Sequence, residues 1–572
     1  MNDHDVELSI RADGYSSQQL HDLSIIGAKE QELISRLRSS SPLLLEGIRG
    51  SGKTTLLKLA AEATNKESGS HNGIAVYVSF SRYLLLENPH IPIGPSHPFI
   101  VWVCTKLLIA TYQTALEVTG RTPGHLPNLA PFLESSFEAI ITSLESTHKL
   151  GSSDGLPTGQ LPNSTQRALS ELHNPDKLKS LLIEIMDAFG LRSLNFLCDE
   201  AAQYFKAEFQ PLFFLLLKSI HIPSISFKAA VYPTITYFGA DFELGHDASV
   251  VQITRPCLSD EWVTFCRAIT ERRFHAMSLW NERPVLMEAL ALSGFGIPRR
   301  FIELLGSLDI SSATELDVLN AIKSHAQREL LQPFEALKAR IPALVREVEL
   351  ASYLLHLFIA DLKQENTTRA YRTAYIAISK HRALPYALRK SINLLVYLGI
   401  LERQPSTKLG HSRDTADRLL LNPALVISEN LLADASKRRL SLREANERLK
   451  QLELEKFREY SRNSKSLLEA VEEVRVTDTK PCPQCGMDLP VEARFCTNCG
   501  TPQNQQSILF QFLSLPSSEL DLTPGIKARV TARFATVREV FDADDPELDA
   551  IPFIGPTRIA FIRHAVDELI SG

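Results

Sequence analysis

One segment constrains this chain more than any other, because it joins an apolar run, a glycine-rich loop and a second apolar run. From Leu43 to Leu57 the sequence reads LLLEGIRGSGKTTLL. It matches the pattern GxxxxGK[ST], in which glycines let main-chain N–H groups point at phosphates and the following helix adds its positive dipole end. The segment therefore predicts an α/β domain whose loop binds a nucleoside triphosphate.

The side chains of this loop have separate chemical tasks. Lys53 is expected to reach the β- and γ-phosphates, and the Thr54 hydroxyl is expected to bind Mg²⁺. The residues expected to contact the nucleotide are Gly47, Gly50, Ser51, Gly52, Lys53, Thr54 and Thr55. ATP and Mg²⁺ are accordingly the expected ligands.

A pair of acids follows another apolar run, where a phosphate-binding loop needs a carboxylate. The run Leu194–Cys198 ends at Asp199 and Glu200. Asp199 is predicted to hold Mg²⁺ through water, and Glu200 to take a proton from the attacking water as general base. An acid pair that caps a helix is the alternative, but the phosphate loop upstream favours the catalytic interpretation.

Length and composition indicate a chain of several globular domains. The 572 residues are 44% hydrophobic and 22% charged, which excludes a mostly disordered or fibrous protein. Apolar runs such as Leu394–Leu401 fall short of the roughly 20 residues that span a bilayer, so no membrane contact is expected. The polar start of the chain predicts no secretion. Because the net charge is −6, a nucleic-acid site must be a local basic patch.

Four apolar runs separated by helix-length segments predict a parallel sheet. They are residues 43–45, 74–80, 194–198 and 225–232, and residues 120–175 fit an insertion with one helix near 136–143. The expected architecture is multidomain, with an α/β P-loop core (1–255), a helical lid (256–345), a winged helix (346–428), a long linker helix (429–478), a zinc ribbon (479–502) and a small all-α domain (519–572).

With these motifs the chain resembles the AAA+ ATPases, in particular their initiator (origin-recognition) clade and the related STAND switch ATPases. The resemblance rests on the two motifs above and on three further segments, Ile25–Glu30, Ala229–Thr234 and Ser293–Arg299. It covers about residues 20 to 428. It implies a nucleotide-binding core with a helical lid, and it implies ATP hydrolysis.

The resemblance also assigns roles to single residues. It implies a polar sensor at Thr234 or Tyr232 and a catalytic sensor arginine at Arg299, directed at the γ-phosphate. A solvated arginine at a helix start is the alternative for Arg299. Ring-forming relatives carry an arginine that reaches a neighbour's nucleotide. The corresponding segment, Phe213–His221, has no arginine, and Lys218 lacks the planar fork, so an oligomer fits the sequence but a hexameric motor is not predicted.

A basic stretch after the lid predicts a winged helix-turn-helix, which the initiator clade carries at this place. Helices are expected at residues 353–362, 369–379 and 384–398, and strands at 400–403 and 418–421. Residues 363–418 contain eleven Lys and Arg against four Asp and Glu, a net charge of +7. The residues expected to contact DNA phosphates are Arg389, Lys390, Lys408 and Arg413. The alternative is that this domain clamps the ATPase core, as it does in STAND proteins.

Four of the eight cysteines form a metal-binding pattern. Cys482, Cys485, Cys496 and Cys499 have the spacing CxxC-x10-CxxC, which resembles the zinc ribbon. Four thiolates close a tetrahedral Zn²⁺ site with no open position, so the metal is expected to be structural. Clustered CxxC pairs without a signal peptide also predict a reducing compartment, the cytoplasm. Nucleic acid and protein both stay open as partners of the ribbon.

The last segment resembles a degenerate tandem helix-hairpin-helix module, with turns at Leu522–Ala528 and Ile551–Ile559. The family has two glycines in each turn, and Lys527 and Phe553 occupy the missing places here. Residues 519–572 carry a net charge of −4, although Lys527, Arg529 and Arg558 lie at the turns. DNA and protein are therefore both open as partners of this module.

Two functions follow from these observations. The preferred one is an intracellular ATPase that couples its nucleotide state to DNA binding, and the resemblance suggests genome maintenance, mobile-element work or antiviral (phage) defence with a partner effector. The alternative is a STAND-like signalling switch, in which the winged helix clamps the core and the C-terminal modules bind a protein partner.

Overall fold

The computed structural model of the protein describes most of its 572 residues. The described ranges are 15–67, 72–81, 98–121, 126–145, 161–200, 209–332, 334, 345–379, 385–408, 415–434, 439–461, 464–474, 479–481, 485, 487–490, 496–500, 512–520 and 522–571.

The amino-terminal domain is built on a five-stranded sheet with all strand pairs parallel. Because parallel strands end at one edge, the carboxyl ends of β1, β3 and β4 lie side by side. The four predicted strands are confirmed, and β5 was not predicted. The strands are β1 (Leu43–Glu46), β2 (Gly73–Ser79), β3 (Ser193–Asp199), β4 (Ile225–Val231) and β5 (Ser249–Gln252), in the spatial order β2-β3-β4-β1-β5.

Helices cover both faces of this sheet, and the alternation of side chains along β1 shows it. Leu43 and Leu45 pack with buried residues of α2 and α3, whereas Leu44 packs in the cluster that contains α4, α8 and α9. The predicted helix near 136–143 is confirmed as α6, but the expectation of one helix in the insertion was wrong, because α5 and α7 also lie within residues 120–175. The helices are α1 (Ser17–Leu23), α2 (Ala28–Arg38), α3 (Lys53–Lys66), α4 (Pro98–Thr119), α5 (Ala130–Leu133), α6 (Phe137–Glu145), α7 (Asn163–Glu171), α8 (Pro175–Phe189) and α9 (Phe209–Ile220).

Helix α4 is apolar over 22 residues, which by length and composition alone is enough to cross a bilayer. In the fold, however, Phe99, Trp102 and Leu107 are fully buried in the core beside the sheet. Its apolar character is therefore accounted for by packing inside this domain.

Helices follow the sheet in the range where a helical lid was predicted, and we refer to them as the lid. Its core includes Trp262, whose indole N–H donates to the Ala291 carbonyl at 2.7 Å, and the fully buried Phe301. The lid elements are α10 (Asp260–Phe274), α11 (Leu279–Glu282), α12 (Pro284–Ser293), α13 (Pro298–Gly306), α14 (Glu315–His325) and a π-helical segment (Ala326–Leu331).

The next domain, which we call the hairpin domain (residues 345–428), differs from the expected winged helix-turn-helix. Helices were predicted at 353–362 and 369–379, but one long helix runs to Thr368 and a strand follows it. The elements are α15 (Val345–Thr368), β6 (Tyr375–Ser379), α16 (Tyr386–Tyr397), β7 (Leu401–Lys408), β8 (Thr415–Leu421) and α17 (Pro423–Ser428). Within the described residues, α15 and α16 are thus separated by a strand, and the predicted wing hairpin is confirmed as β7 and β8.

The prediction of a helix at 369–379 was wrong for a physical reason. All five residues of β6 are buried, because the strand lies between β8 and β9 in the order β7-β8-β6-β9. The buried Asn366 fixes the turn before it, since its side-chain amide donates to Thr373 and Leu431 carbonyls and its oxygen accepts from the Thr373 N–H. A strand buried on both sides has no alternating pattern that would distinguish it from a helix.

The predicted long linker helix at 429–478 was also wrong. The segment folds into α18 (Leu442–Lys450), β9 (Arg458–Tyr460) and α19 (Lys465–Glu473). Strand β9 pairs in parallel with β6, and Leu442, Ala445 and Leu449 are buried against the hairpin domain and lid. The apolar face of α18 therefore belongs to a short packed helix.

The C-terminal region contains a small antiparallel pair and then four short or medium helices. The elements are β10 (Thr479–Pro481), β11 (Asp488–Pro490), a 3₁₀ turn (Ser517–Glu519), α20 (Pro524–Arg533), α21 (Val537–Asp542), α22 (Asp545–Asp549) and α23 (Pro556–Ser571). The buried residues of these helices, including Val530 and Ile562, are continuous with the core cluster of the amino-terminal domain.

Candidate nucleotide site

The predicted phosphate loop joins β1 to α3 at the carboxyl edge of the sheet. Gly50 and Gly52 have φ values of 81° and 97°, in the left-handed region that favours glycine. A Cβ added at Gly47 would lie 2.5 Å from the Ser51 hydroxyl and 2.7 Å from Ile253, so no side chain fits there. The Ser51 hydroxyl donates to the Ile48 carbonyl at 2.7 Å. Thr54 and Thr55 lie half-buried in the first turn of α3.

Lys53 is buried inside this loop and is held by the loop itself. Its Nζ donates to the carbonyl oxygens of Gly47 and, at 3.2 Å, Ile48. The same nitrogen lies 3.8 Å from the ring centroid of Tyr232. Burial lowers the pKa of Lys53 to about 7, with Arg49 and Arg299 acting in the same direction and Asp199 and Glu200 opposing them. The ammonium must leave the two carbonyls to reach a phosphate.

The two candidate acids lie at the end of β3, as predicted. Asp199 is buried, and its Oδ2 accepts from the Tyr77 hydroxyl at 3.0 Å while its Oδ1 accepts from the Glu200 N–H at 3.0 Å. Glu200 has a φ of 55°, and its Oε2 accepts from the Ser79 hydroxyl at 3.0 Å. Both carboxylates influence the Lys53 ammonium, so the structure brings the acids and the lysine into one site.

The structure separates the two candidates for the polar sensor at the end of β4. Tyr232 is buried beside Lys53, and burial raises its pKa well above the usual value. The Thr234 hydroxyl is directed elsewhere, since it donates to the main-chain carbonyl of Asn393 in α16 at 2.8 Å. Tyr232 is therefore the residue of this strand end that contacts the site, and Thr234 joins it to the hairpin domain.

The candidate sensor Arg299 lies against the phosphate loop. Its main-chain N–H donates to the Gly50 carbonyl at 3.4 Å, and a Cβ added at Gly50 would lie 2.9 Å from the Arg299 Cβ. Its guanidinium is among the charges that lower the pKa of Lys53. The start of α13 thus lies against the phosphate loop, and the sensor role of Arg299 stays a prediction.

The segment before α2 is tied to the start of the lid. Glu30 accepts from the Gly27 N–H at 3.0 Å and forms a buried ion pair with Arg255. Lys29 donates to the Thr254 carbonyl at 3.1 Å, and its Nζ lies 3.3 Å from Glu261. These contacts join the segment Ile25–Glu30, one of the three that carry the resemblance, to the start of the lid.

Helix α16 covers the site, and this contact was not predicted from the sequence. Tyr397 packs edge-on against Tyr232, with the ring centroids 5.8 Å apart. Burial raises the pKa of Tyr397, and the Arg49 charge of the phosphate loop opposes that shift. The contact joins residues 165 positions apart, counted from 232 to 397, so local patterns carried no signal for it.

The four basic residues expected to contact DNA have different environments. Arg389 and Lys408 are exposed, while Lys390 forms an ion pair of 2.9 Å with Glu347 of α15. Arg413 lies outside the described residues. Lys218 lies in the segment where ring-forming relatives carry the arginine that reaches a neighbouring subunit's nucleotide. It donates to the Asp241 carbonyl and the Asp247 carboxylate within its own domain.

The cysteine cluster forms as far as it is described. The sulfur atoms of Cys485, Cys496 and Cys499 all lie within 4.8 Å of one another, and Cys482 lies outside the described residues. The N–H groups of Asn498 and Cys499 point at the Cys496 sulfur at 3.4 Å. Three convergent thiols with N–H donors fit a Zn²⁺ knuckle.

The second predicted C-terminal turn shows a strained residue. Phe553 has a φ of 65°, where a glycine is usual, and its side chain is 76% exposed. The Arg529 guanidinium lies 5.1 Å from its ring, and Arg558 donates to its carbonyl. A glycine would adopt this φ without strain, whereas phenylalanine does so at a cost.

Comparison with known proteins adds three findings. The family model for zinc-ribbon domains matches residues 482–503, which confirms the predicted ribbon. No curated protein matches the chain. Similar solved structures include the Aeropyrum pernix ORC1 protein in complex with DNA, with 15% identity over 75% of this chain and 95% of that chain and a TM-score of 0.27. Another is the Aeropyrum pernix ORC2 protein in ADPNP–ADP complexes, with 14% identity, coverage of 78% and 97%, and a TM-score of 0.32. Both likenesses are distant.

Proposed function

We propose that the chain is an ATP-hydrolysing switch in which nucleotide state controls how the hairpin domain lies on the nucleotide site. One observation carries this proposal. The Lys53 ammonium lies under Tyr232, and Tyr232 in turn contacts Tyr397 of α16. A phosphate that draws Lys53 out of the loop carbonyls therefore disturbs the surface on which α16 rests.

The catalytic step uses residues at the ends of β1 and β3. The oxygen of a water molecule attacks the γ-phosphorus, the bond to the β-γ bridging oxygen breaks, and Glu200 takes the proton of the water. Ser79, which donates to Glu200 at 3.0 Å, orients that carboxylate. Lys53 offsets negative charge on the phosphates, and Arg299 acts from the lid.

The residues present fit Mg²⁺. The Thr54 hydroxyl follows the phosphate loop in the first turn of α3 and the Asp199 carboxylate ends β3, and hydroxyl and carboxylate oxygens are the ligands this ion prefers. Thr54 and Asp199 would hold the ion. When bound, Mg²⁺ neutralises charge on the β- and γ-phosphates.

DNA is the proposed partner of the hairpin domain. The support is the local net charge of +7 over residues 363–418, against −6 for the whole chain, and the exposure of Arg389 and Lys408. The ORC1 neighbour was solved with DNA. Arg389 lies on α16, so DNA bound there would contact the same helix that covers the nucleotide site. The proposed setting is genome maintenance, mobile-element work or phage defence, with a partner supplying any effector activity.

A second function is favoured by the way α16 is held. Lys390 is paired with Glu347, and the face that carries Asn393 and Tyr397 packs on the core. This is the arrangement of an internal clamp, which fits a signalling switch that recognises a protein through its C-terminal modules.

ATP turnover by the full-length protein, with and without duplex DNA, separates the two functions. The first predicts turnover that Lys53→Ala abolishes and that DNA raises, because DNA competes for α16. The second predicts turnover that duplex DNA leaves unchanged. Absence of turnover in the parent protein under both conditions would overturn the catalytic proposal.

A further inference from the structure

Two consecutive arginines at the start of α13 contact different parts of the molecule. The main-chain N–H of Arg299 donates to the Gly50 carbonyl, in the phosphate loop, at 3.4 Å. The Arg300 guanidinium donates to the carbonyls of Leu398 at 2.7 Å and Gly399 at 3.1 Å, immediately after α16. A single helical turn of the lid therefore joins the nucleotide loop to the end of α16.

The contact on the α16 side suits an arginine. The carbonyl end of a helix carries partial negative charge, and the planar guanidinium donates at once to the carbonyl of the capping residue Leu398 and to that of Gly399, the residue after it. Burial lowers the pKa of Arg300 to about 10, and the charges of Glu303 and Glu329 oppose that shift. Asn422 donates to the same Gly399 carbonyl at 2.8 Å, so the end of the helix is fixed from two sides.

The contact on the loop side leaves no space. A Cβ added at Gly50 would lie 2.9 Å from the Arg299 Cβ and 3.1 Å from the Ile297 side chain. The start of α13 thus packs directly on the loop main chain. The two segments are therefore in direct contact.

Resting on the proposed function, we infer that Arg300 is a positioning residue that transmits the nucleotide state from the phosphate loop to α16. Arg299 responds to the γ-phosphate, the first turn of α13 moves as one unit, and Arg300 moves the end of α16 with it. Tyr397, one residue before Leu398, then shifts relative to Tyr232. The sensor and the domain contact are neighbouring residues, so no longer pathway is needed.

Hydrogen exchange of the α16 amides in the full-length protein tests this inference. We compare the protein without nucleotide, with ADP, and with a non-hydrolysable ATP analogue. Coupling between sites usually amounts to about 5–150-fold, and the parent should show a difference in α16 opening of that order between ADP and the analogue. Arg300→Met should abolish the difference while nucleotide binding persists. A contact that is merely structural would instead raise exchange equally in every state and leave the difference intact.

The control is Arg283→Met. Arg283 also donates to two carbonyls, those of Ser311 at 2.7 Å and Ala313 at 3.5 Å, but all three residues belong to the lid. This variant should keep the nucleotide-dependent difference. If Arg300→Met also keeps the nucleotide-dependent difference in α16 exchange, the inference about Arg300 is overturned. If the parent protein itself shows no such difference, the proposed nucleotide switch is overturned.

A second variant approaches the contact from α16 in case Arg300→Met does not fold. In Gly399→Ala the new Cβ would lie 2.7 Å from the Arg300 Nη1, at a φ of 63°. Gly245→Ala is its control, because Gly245 has a φ of 86° and open space around it. Loss of the nucleotide-dependent difference in Gly399→Ala alone supports the inference, and its persistence in both variants contradicts it.

Discussion

The hydroxyl of Thr234 donates a hydrogen bond of 2.8 Å to the main-chain carbonyl of Asn393. It links the end of the strand beside the phosphate loop to a helix of another domain. Together with the contact between Tyr232 and Tyr397, it makes α16 part of the surroundings of the nucleotide site. A nucleotide site covered in this way would have a direct route for reporting which nucleotide it holds.

Replacing Glu200 with Gln should stop hydrolysis and leave ATP binding intact. The amide keeps the size of the side chain but cannot accept the proton of the attacking water, and a general base contributes about 10²–10⁴-fold to the rate. Turnover and nucleotide affinity of the purified protein check this. The comparison variant is Lys53→Ala, which should lose both. Parent-level hydrolysis by Glu200→Gln would show that another group is the base.

ATP binding should take up a proton at pH 8. Burial lowers the pKa of Lys53 to about 7, so the free protein has largely lost this proton at pH 8, whereas phosphates favour the ammonium. By the same shift, the unfolded chain binds more protons between about pH 7 and 10.5, so the free energy of unfolding of the free protein should rise with pH there. Calorimetry of Mg-ATP binding in buffers of different ionisation enthalpy measures how many protons the protein takes up when ATP binds.

The expected uptake approaches about one proton at pH 8 and is close to zero at pH 6, where Lys53 is already charged. Equal uptake at the two pH values would show that Lys53 is not the group that titrates.

The purified protein should contain one zinc ion bound by the four ribbon cysteines. Removing one thiolate in Cys485→Ser should release the metal and unfold the ribbon, because so small a module depends on the metal for its fold. ATP binding should not change, since the thiols lie in a separate module from Lys53. Elemental analysis checks the metal content, and zinc at the parent level in Cys485→Ser would contradict the proposed ligand set.

Replacing Arg389, Lys390, Lys408 and Arg413 together with Ala tests the DNA surface. Each phosphate contact contributes about 0.9 to the slope of log affinity against log salt, so loss of three to four contacts should lower that slope by about 3. We expect the smaller number because Lys390 is already paired with Glu347. Salt titrations of duplex binding measure the slope.

Lys66 and Lys465, two exposed lysines outside the hairpin domain, supply the control when changed to Ala. An unchanged slope with raised basal turnover in the fourfold variant would instead support the internal clamp.

Local patterns in the sequence were sufficient for the core of the site. Gly50, Gly52 and Lys53 follow a strand and open a helix, and Asp199 ends another strand, so each was identified from its immediate neighbours. The strand β5 was missed because it has only four residues, three of them exposed, and lacks an apolar run.

Distant contacts explain what the sequence did not reveal. Strand β6 pairs with β9, about eighty positions later in the chain, so Tyr375–Ser379 looked like part of a helix. Thr234 looked like the polar sensor because its partner, Asn393, lies 159 positions away. Arg300 went unnoticed beside Arg299 for the same reason. In each case, the partner that determines the structure or role of the residue is far away in the sequence. Folding alone brings the two together.

The rate at which bound ADP leaves the full-length protein tests the cover over the nucleotide site most directly. Thr234→Val keeps the shape of the side chain and removes its hydrogen bond to Asn393. Such a bond contributes about 0.5–1.5 kcal/mol, which corresponds to roughly a 2- to 10-fold effect on the rate of ADP release.

Thr531→Val is the matched control, because Thr531 donates to the Lys527 carbonyl at 2.9 Å within the C-terminal helices. We predict release about 2- to 10-fold faster in Thr234→Val and unchanged in Thr531→Val. Release at the parent rate in Thr234→Val would contradict the claim that α16 holds the nucleotide site closed.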